Sequence, residues 1–292
     1  MKQAVDYSRA DLIKLARQFR TKKSLGQNFL VEPSVLQTIA DALDATEGDT
    51  ILEIGPGIGF LTRFLTNTGA RIVAVELDAD AVSDLRASSM PNLEVVHADF
   101  LAFDPTSLQS TFKVAGNVPY QITTPIVARL FGEIGQPQPW LAQIEKVVLT
   151  VQLEVAQRFV ATPDTRDYSQ ITLLTQFFSE PKLLLELGAE EFYPSPNVRS
   201  AVVEFTPRKE PPIQCNNYRL LRSLIKSGFS QRRKMLRNNL GFLKLDGGTL
   251  VKVFHDLKLD PQVRAERLSL EKYCQMANYL DALPEYQKQK SS

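Results

Sequence analysis

The chain has 292 residues, enough for about two domains at ~150 residues each. Hydrophobic content of 43% with 23% charged residues suits a folded chain with a real core, and 14 Gly and 17 Pro are too few for a linker-dominated one. The formal charge of +1 excludes a uniformly basic protein, and no apolar run approaches the ~18 residues of a membrane span.

The first 23 residues carry seven Lys or Arg, including Arg20, Lys22 and Lys23, against Asp6 and Asp11. They have no uninterrupted apolar core and no small-residue cleavage site, so a secretory signal is not expected; the two acids count against a transit peptide. Strands are predicted at Thr50–Ile54, Arg71–Glu76, Leu93–His97, Lys113–Gly116 and Lys146–Gln152. Most are continuous β-branched runs, the pattern of parallel strands covered on both faces. Between them the spacing predicts helices at Phe60–Asn67, Asp80–Ala87, Thr124–Ile134 and Glu154–Ala161. Such alternation implies right-handed βαβ crossovers and an α/β fold with an open, doubly wound, mostly parallel sheet. Lys182–Leu187 and Ala201–Thr206 follow as two strands joined by a long Pro-containing loop, antiparallel at the sheet edge.

After Pro207 the character changes. Residues 208–212 (RKEPP) read as a linker, which divides the chain into domains 1–207 and 208–292, the second small and α-helical. Its predicted helices are Tyr218–Ser227, Gln231–Leu240, Gly248–His255 and Leu270–Leu283, with a disordered tail from Tyr286 to Ser292. Residues 208–239 hold nine Lys or Arg against Glu210 alone, so the rest of the chain is net acidic. Two concentrated basic segments give a directional field that suits a polyanion such as nucleic acid; the alternative is solubilising surface charge.

Cys215, Cys274, His97 and His255 are too scattered for a structural zinc set, and no metal is expected. A disulfide framework is not expected either, which suits a reducing, cytoplasmic compartment. Both histidines read as structural.

Chemistry concentrates at the strand ends. Glu53-Ile-Gly55-Pro-Gly57-Ile-Gly59 follows a strand and precedes a helix. Glycines there allow positive φ and close approach of a ligand to the main chain, at the carboxyl ends of the strands where an open parallel sheet takes its ligand. The spacing is GxGxG rather than the GxGxxG dinucleotide fingerprint, and no Lys-Ser/Thr pair makes it a P-loop. Alone, such a turn could be merely structural. Glu76, 21 residues after Gly55, ends the second strand at the spacing of a carboxylate that accepts from ribose hydroxyls; Asp78 stands beside it. Asp99 follows the third strand, where it could accept from the exocyclic amine of an adenine, with Phe100 supplying apolar contact. Three acidic strand ends and no phosphate binder suit S-adenosylmethionine, which joins adenine and ribose to a cationic sulfonium.

Asn117-Val118-Pro119-Tyr120 closes the fourth strand. The exocyclic amine of a base is a poor nucleophile because its lone pair is delocalised into the ring, and attack on a methyl carbon needs acceptors for its hydrogens. The Asn117 side-chain oxygen and a carbonyl in the Val118–Pro119 turn supply them, Pro119 stiffens the turn, and Tyr120 can stack on the base. An Asn at an ordinary turn is the plain alternative.

These motifs, with Lys23-Ser-Leu-Gly-Gln-Asn-Phe-Leu30 upstream, Phe192-Tyr-Pro-Ser-Pro-Asn-Val-Arg-Ser200, and Gln231-Arg-Arg-Lys-Met-Leu-Arg-Asn238, resemble the ribosomal RNA adenine N6,N6-dimethyltransferase family, most of all its bacterial small-subunit branch. The matches run from about residue 22 to 240. The resemblance implies a class I S-adenosylmethionine-dependent methyltransferase fold and dimethylation of adenine N6 in small-subunit ribosomal RNA during ribosome biogenesis. It implies cofactor contacts at Asn28, Leu30, Gly55, Gly57, Glu76, Asp99 and Asn117, and a target adenine held between Tyr120 and Phe192. Arg20, Lys22, Lys23, Arg232, Arg233, Lys234 and Arg237 would meet RNA phosphates, with Arg233 and Arg237 stacked on one helix. Val118 stands where Leu is commoner, and Val151-Gln-Leu-Glu154 lacks the Lys usual before Glu. Nothing demands a dimer, so a monomer acting on ribosomal RNA or an immature small subunit is expected. The rival readings are a large-subunit RNA methyltransferase of the antibiotic-resistance kind and a non-catalytic RNA-binding factor; Gly26-Gln-Asn and the QRRKMLRN stretch weigh against the first, and intact Glu76, Asp99 and Asn117 against the second.

Overall fold

The structure is a computed structural model that describes residues 7–19 and 27–290. Arg20, Lys22 and Lys23 lie outside the described residues. The chain forms two compact units. The first takes the residues up to Leu130, residues 138–157 and Ser179–Pro207; the second takes Phe131–Pro137, Arg158–Phe178 and the chain from Arg208 onward. The second unit thus includes two segments that precede the linker near residue 207.

The first unit opens with α1 (Arg9–Gln18), whose N-cap Ser8 and Asp11 form a reciprocal capping box. Helix α2 (Pro33–Ala42) begins on a proline, whose fixed φ suits the first turn. Then β1 (Thr50–Ile54), α3 (Phe60–Thr66), β2 (Arg71–Glu76), α4 (Ala79–Ala87), β3 (Leu93–His97), β4 (Phe112–Asn117), α5 (Thr123–Phe131), β5 (Ile144–Gln152) and α6 (Leu153–Val160) alternate along the chain. After α7 (Gln170–Phe178), β6 (Ser179–Leu187) and β7 (Ser200–Pro207) complete a seven-stranded sheet of order 3-2-1-4-5-7-6. Strands β1 to β5 run parallel, and β7 pairs antiparallel with both β5 and β6. Ile51, Leu52, Val114 and Ala115 are fully buried, as central strands covered on both faces require. The connection reverses direction between β1 and β4, and the carboxyl ends of these strands flank the crevice where a doubly wound sheet takes its ligand.

Several elements differ from expectation. Helix α5 stops at Phe131 rather than Ile134, because Gly132 adopts φ +93 and opens a two-stranded turn with Gln136–Pro137. The sequence QITLLTQFF of α7, rich in β-branched and aromatic residues, shows little helical signal, yet it folds as a helix in which Thr175 Oγ1 donates to the Ile171 carbonyl at 3.0 Å.

The third difference concerns the basic cluster. In the second unit, α8 (Tyr218–Gly228), α9 (Gly247–Asp256) and α10 (Leu270–Ala282) form as expected, but Gln231–Leu240 is no α-helix. It is a turn followed by a short 3-10 segment, Leu236–Asn239. The buried side chain of Asn239 donates to the Gly228 carbonyl at 2.8 Å and so closes the end of α8. Leu236, fully buried, donates its N–H to the Val263 carbonyl at 2.8 Å. These long-range bonds replace the i→i−4 ladder, so Arg233 and Arg237 do not stack on one helix. The tail also departs from expectation: α11 (Pro284–Lys290) extends through residues predicted as disordered, starting on a proline at its first turn.

Candidate functional site

A cavity of ≈ 240 Å³ opens at the carboxyl ends of β1, β2, β3 and β4. Asn28, Leu30, Gly55, Gly57, Glu76, Asp99, Asn117, Val118, Pro119 and Tyr120 all line it, which gathers almost every predicted cofactor and base contact into one place. Three acids, Glu53, Glu76 and Asp99, and no Lys, Arg or His are among the described lining residues.

The glycine turn after β1 needs its glycines for separate reasons. Gly55 has φ +61 and nothing within 4 Å of an added Cβ, so its main chain is open to the cavity. Gly57 has φ +57, and a Cβ there would lie 2.8 Å from the Phe29 ring. At 2.8 Å the Gly57 N–H donates to Glu76 Oε2, while Asp78 N–H donates to Glu76 Oε1 at the same distance. Glu76, 6% exposed, therefore locks the turn from the end of β2 and keeps further acceptor capacity on both oxygens. Arg63 holds the turn from behind, its Nη1 donating to the Ile58 and Gly59 carbonyls at 2.8 and 2.7 Å.

Asp78 caps α4 by accepting from Asp80 N–H at 3.0 Å, and also accepts from Gln27 Nε2 at 2.9 Å. It is a structural anchor for the N-terminal segment. Asp99 is exposed and accepts from Leu101 N–H at 2.9 Å, with Phe100 buried beside it. Glu53, 1% exposed, differs from these acids: burial pushes its carboxyl up to about 8, with the like charge of Glu76 adding to the rise and Thr62 and Arg63 opposing it.

On the other side of the cavity, Asn117 ends β4 and its Nδ2 donates to the Asn28 carbonyl at 2.9 Å. Val118 is buried, and its N–H donates to the Thr150 carbonyl of β5 at 3.3 Å. The Pro119 carbonyl accepts from Ile122 N–H at 3.1 Å, folding Tyr120–Ile122 into a 3-10 turn. Tyr120 is partly buried, with its hydroxyl 2.6 Å from Ser200 Oγ at the start of β7. Burial raises the phenol above its ordinary value, which keeps it neutral and unsuited to act as a base.

Phe29–Leu30 pairs antiparallel with Phe192–Tyr193, bringing the upstream motif against the Phe-Tyr-Pro loop. Phe192 does not reach the cavity. It is 3% exposed and packs in the core with Phe29 and Leu30. Sequence reasoning also missed Gln27, which lines the cavity and donates to Asp78, and Arg63 and Ser200, which bond the glycine turn and Tyr120; Gln27 and Ser200 stand inside the quoted motifs, whereas Arg63 carried no signal.

In the second unit Arg232, Arg233, Lys234 and Arg237 are all exposed. Arg232 turns inward, however, its Nη2 donating to the Arg166 and Tyr168 carbonyls at 2.8 and 2.9 Å. Arg233 stands in a concave, charged surface with Arg166, Arg264 and Arg267. Among the described residues no cluster of His, Cys, Asp and Glu could hold a metal ion, and no helix is long and apolar enough to cross a membrane.

The family profile described as "Ribosomal RNA adenine dimethylase" matches residues 18–282. A protein of Rippkaea orientalis named "Ribosomal RNA small subunit methyltransferase A" is 39% identical over 274 residues, 90% of this chain and 98% of that protein. The protein of that name from Alkaliphilus oremlandii is 36% identical over 273 residues, 90% and 93% of the two chains. Among solved structures, the 23S rRNA methyltransferase ErmE superposes with a TM-score of 0.67 at 26% identity, covering 87% of this chain and 99% of that one. A dimethyladenosine transferase from Plasmodium falciparum shares the fold, with a TM-score of 0.72 at 22% identity over 86% and 96% of the chains. With a family profile matched over residues 18–282 and relatives at 36–39% identity over 90% of its length, the chain belongs to the ribosomal RNA adenine dimethylase family.

Proposed function

We propose that this protein transfers two methyl groups from S-adenosylmethionine to N6 of adenines in a loop of small-subunit (16S) ribosomal RNA, as a cytoplasmic monomer acting in ribosome biogenesis. The observation that carries the reading is the lining of the cavity: three acids, an open Gly55 main chain and the Asn117 turn, with no cationic side chain among the described lining residues. Among the described lining residues a phosphate-bearing dinucleotide would find no cationic side chain to neutralise it, whereas a cationic nucleoside fits. The small-subunit target is supported by relatives of that name at 36–39% identity.

S-adenosylmethionine, when bound, supplies an electrophilic methyl on a sulfonium. The protein's own groups do the rest by positioning. Glu76 accepts from the ribose hydroxyls with the acceptor capacity left by Gly57 and Asp78. Asp99 accepts from the adenine amine of the cofactor, and Leu30 and Phe100 provide the apolar walls. Asn117 Oδ1 and the Val118 carbonyl accept the hydrogens of the target amine, since Pro119 already accepts from Ile122. Tyr120 is the stacking platform, fixed by Ser200. Phe192 supports the wall from beneath the Phe29–Leu30 pair. Exposed cations of the second unit, Arg233, Lys234 and Arg237, meet phosphates and orient the RNA without reading its bases.

The test is Asn117→Ala with two readouts. The reading expects methyl transfer to fall by about 10²–10³, the scale of a lost transition-state hydrogen bond, while RNA affinity stays within a factor of about two. Unchanged transfer would remove Asn117 from the chemistry; joint loss of transfer and RNA binding would favour an RNA-binding factor.

A further inference from the structure

The two cysteines of the chain take no part in the cavity or its chemistry. Cys215 lies on the irregular stretch between β7 and α8, and Cys274 on α10; both are buried, and both are free thiols. Far apart in sequence, they meet in the second unit as hydrogen-bond partners, the Cys274 S–H donating to Cys215 Sγ.

The chain around Cys215 is clasped to one face of α10. Asn216 N–H donates to Asn278 Oδ1 at 2.8 Å, and Asn278 Nδ2 returns a bond to the Gln214 carbonyl at 3.2 Å. Asn217 Nδ2 donates to Asp281 Oδ1 at 2.6 Å, while its own Oδ1 caps α8 by accepting from Leu220 N–H at 2.9 Å. Cys274, Asn278 and Asp281 follow one another at i, i+4 and i+7, so they share that face. Bonds on both sides of Cys215 thus hold its backbone against the turn of α10 that carries the second thiol.

The two sulfurs differ in chemistry. Cys215 Sγ accepts from Cys274 and from the Asn217 N–H at the foot of α8, which together hold its thiol down at about 7 against burial and the charge of Asp281. The same bond raises Cys274, the donor, and burial and the charges of Cys215 and Glu271 add to the rise. At neutral pH a large share of Cys215 is therefore thiolate, the reactive form. Cys215 is also the sulfur that solvent can reach, at 6% exposed against 0% for Cys274. Plain core packing asks only that a cysteine be small and apolar, and makes no use of a donor aimed at a second sulfur.

We propose that Cys215 and Cys274 are a peroxide-oxidisable pair, Cys215 the attacking thiolate and Cys274 the resolving thiol, whose product is an intramolecular disulfide stapling the start of α8 to α10. The oxidant is a hydroperoxide. In the first step a Cys215 S–O bond forms and the O–O bond breaks, leaving a sulfenic acid and a hydroxide that takes up the proton Cys215 shed. In the second, the Cys274 sulfur attacks Cys215 Sγ: the S–S bond forms, the S–O bond breaks, and the hydroxyl leaves as water with the Cys274 proton. The thiols lose two electrons in all, and hydrogen peroxide becomes two waters. The bridge joins segments that are already bonded to each other, so the second unit keeps its shape and gains stability. None of this depends on the cofactor reading of the cavity.

The test is treatment of the full, reduced chain with hydrogen peroxide, then alkylation of remaining thiols in denaturant and non-reducing peptide mapping by mass spectrometry. Both thiols should disappear together into one Cys215–Cys274 linkage, dithiothreitol should restore both, and the oxidised protein should melt several degrees higher. Cys274→Ser should stop at a Cys215 sulfenic acid that dimedone traps, and Cys215→Ser should keep Cys274 reduced at the same dose. Retention of both thiols, sulfinic acid at Cys215 without a bridge, or disulfides formed only between copies overturns the proposal. A bridged protein with a lowered Tm overturns it too, since the linkage would then distort the unit. The wild-type map and melting curve decide the matter even where a serine variant does not fold.

Discussion

The side-chain amide of Asn117 donates to the main-chain carbonyl of Asn28 at 2.9 Å, across 89 positions of sequence. Only the NH2 of an amide can donate to a carbonyl, so this bond fixes which way the group faces and leaves Oδ1 as the acceptor at the cavity. Asn28 is itself placed by the Phe29–Leu30 pair with Phe192–Tyr193. The upstream motif and the loop after β4 therefore form one device for orienting a target amine.

Asn117→Asp separates orientation from mere acceptor capacity. The variant keeps an acceptor but sets a carboxylate oxygen against the Asn28 carbonyl, with no proton between them. The cost is about 1–3 kcal/mol for the lost bond, so single-turnover methyl transfer should fall about tenfold to a hundredfold. Wild-type rates would show that the Asn28 contact does not orient the group.

Tyr120 gives a second contrast. Its hydroxyl meets Ser200 at 2.6 Å, but stacking is a property of the ring. Tyr120→Phe should retain most activity, while Tyr120→Ala should lose about 1–3 kcal/mol of base stacking, seen as a rise in KM for RNA or a fall in kcat. Equal losses in the two variants would assign the role to the hydroxyl.

The glycine turn separates stability from binding. Gly57→Ala combines φ +57 with a Cβ 2.8 Å from the Phe29 ring, and should lower Tm with or without cofactor. Gly55→Ala also has positive φ, but its Cβ enters open space in the cavity. It should cost about 1 kcal/mol of stability and weaken cofactor binding more. Melting curves with and without S-adenosylmethionine distinguish the two.

The basic cluster should divide in the same way. Arg232 donates to the Arg166 and Tyr168 carbonyls, so Arg232→Ala should lower Tm. Arg233→Ala and Arg237→Ala should leave Tm unchanged and each reduce the salt-dependence slope of RNA binding by about 1. A Tm loss from Arg233→Ala would make that residue structural.

Local sequence carries much of this fold. Continuous β-branched runs such as Arg71–Glu76 become buried parallel strands because their composition matches a strand covered on both faces. The turn glycines and the strand-end acids were legible because each answers a requirement a few residues away. Long-range bonds were not. Gln231–Leu240 has helical spacing, but Asn239 closing α8 and Leu236 bonding Val263 decide its shape, and neither partner is visible from within the segment. The burial of Phe192 follows from its pairing with Leu30, more than 160 positions away, so its motif marks the loop without showing which face of the ring is open. Glu53 stood in the quoted motif without a role, because its burial is a property of the packed site and not of spacing.

The most direct test of the account is methyl transfer from labelled S-adenosylmethionine to small ribosomal subunits from cells lacking this activity, with large subunits in parallel and nucleoside analysis of the product. The account predicts N6,N6-dimethyladenosine in the small subunit alone. Label confined to the large subunit, or none in either while the cofactor binds, would contradict it.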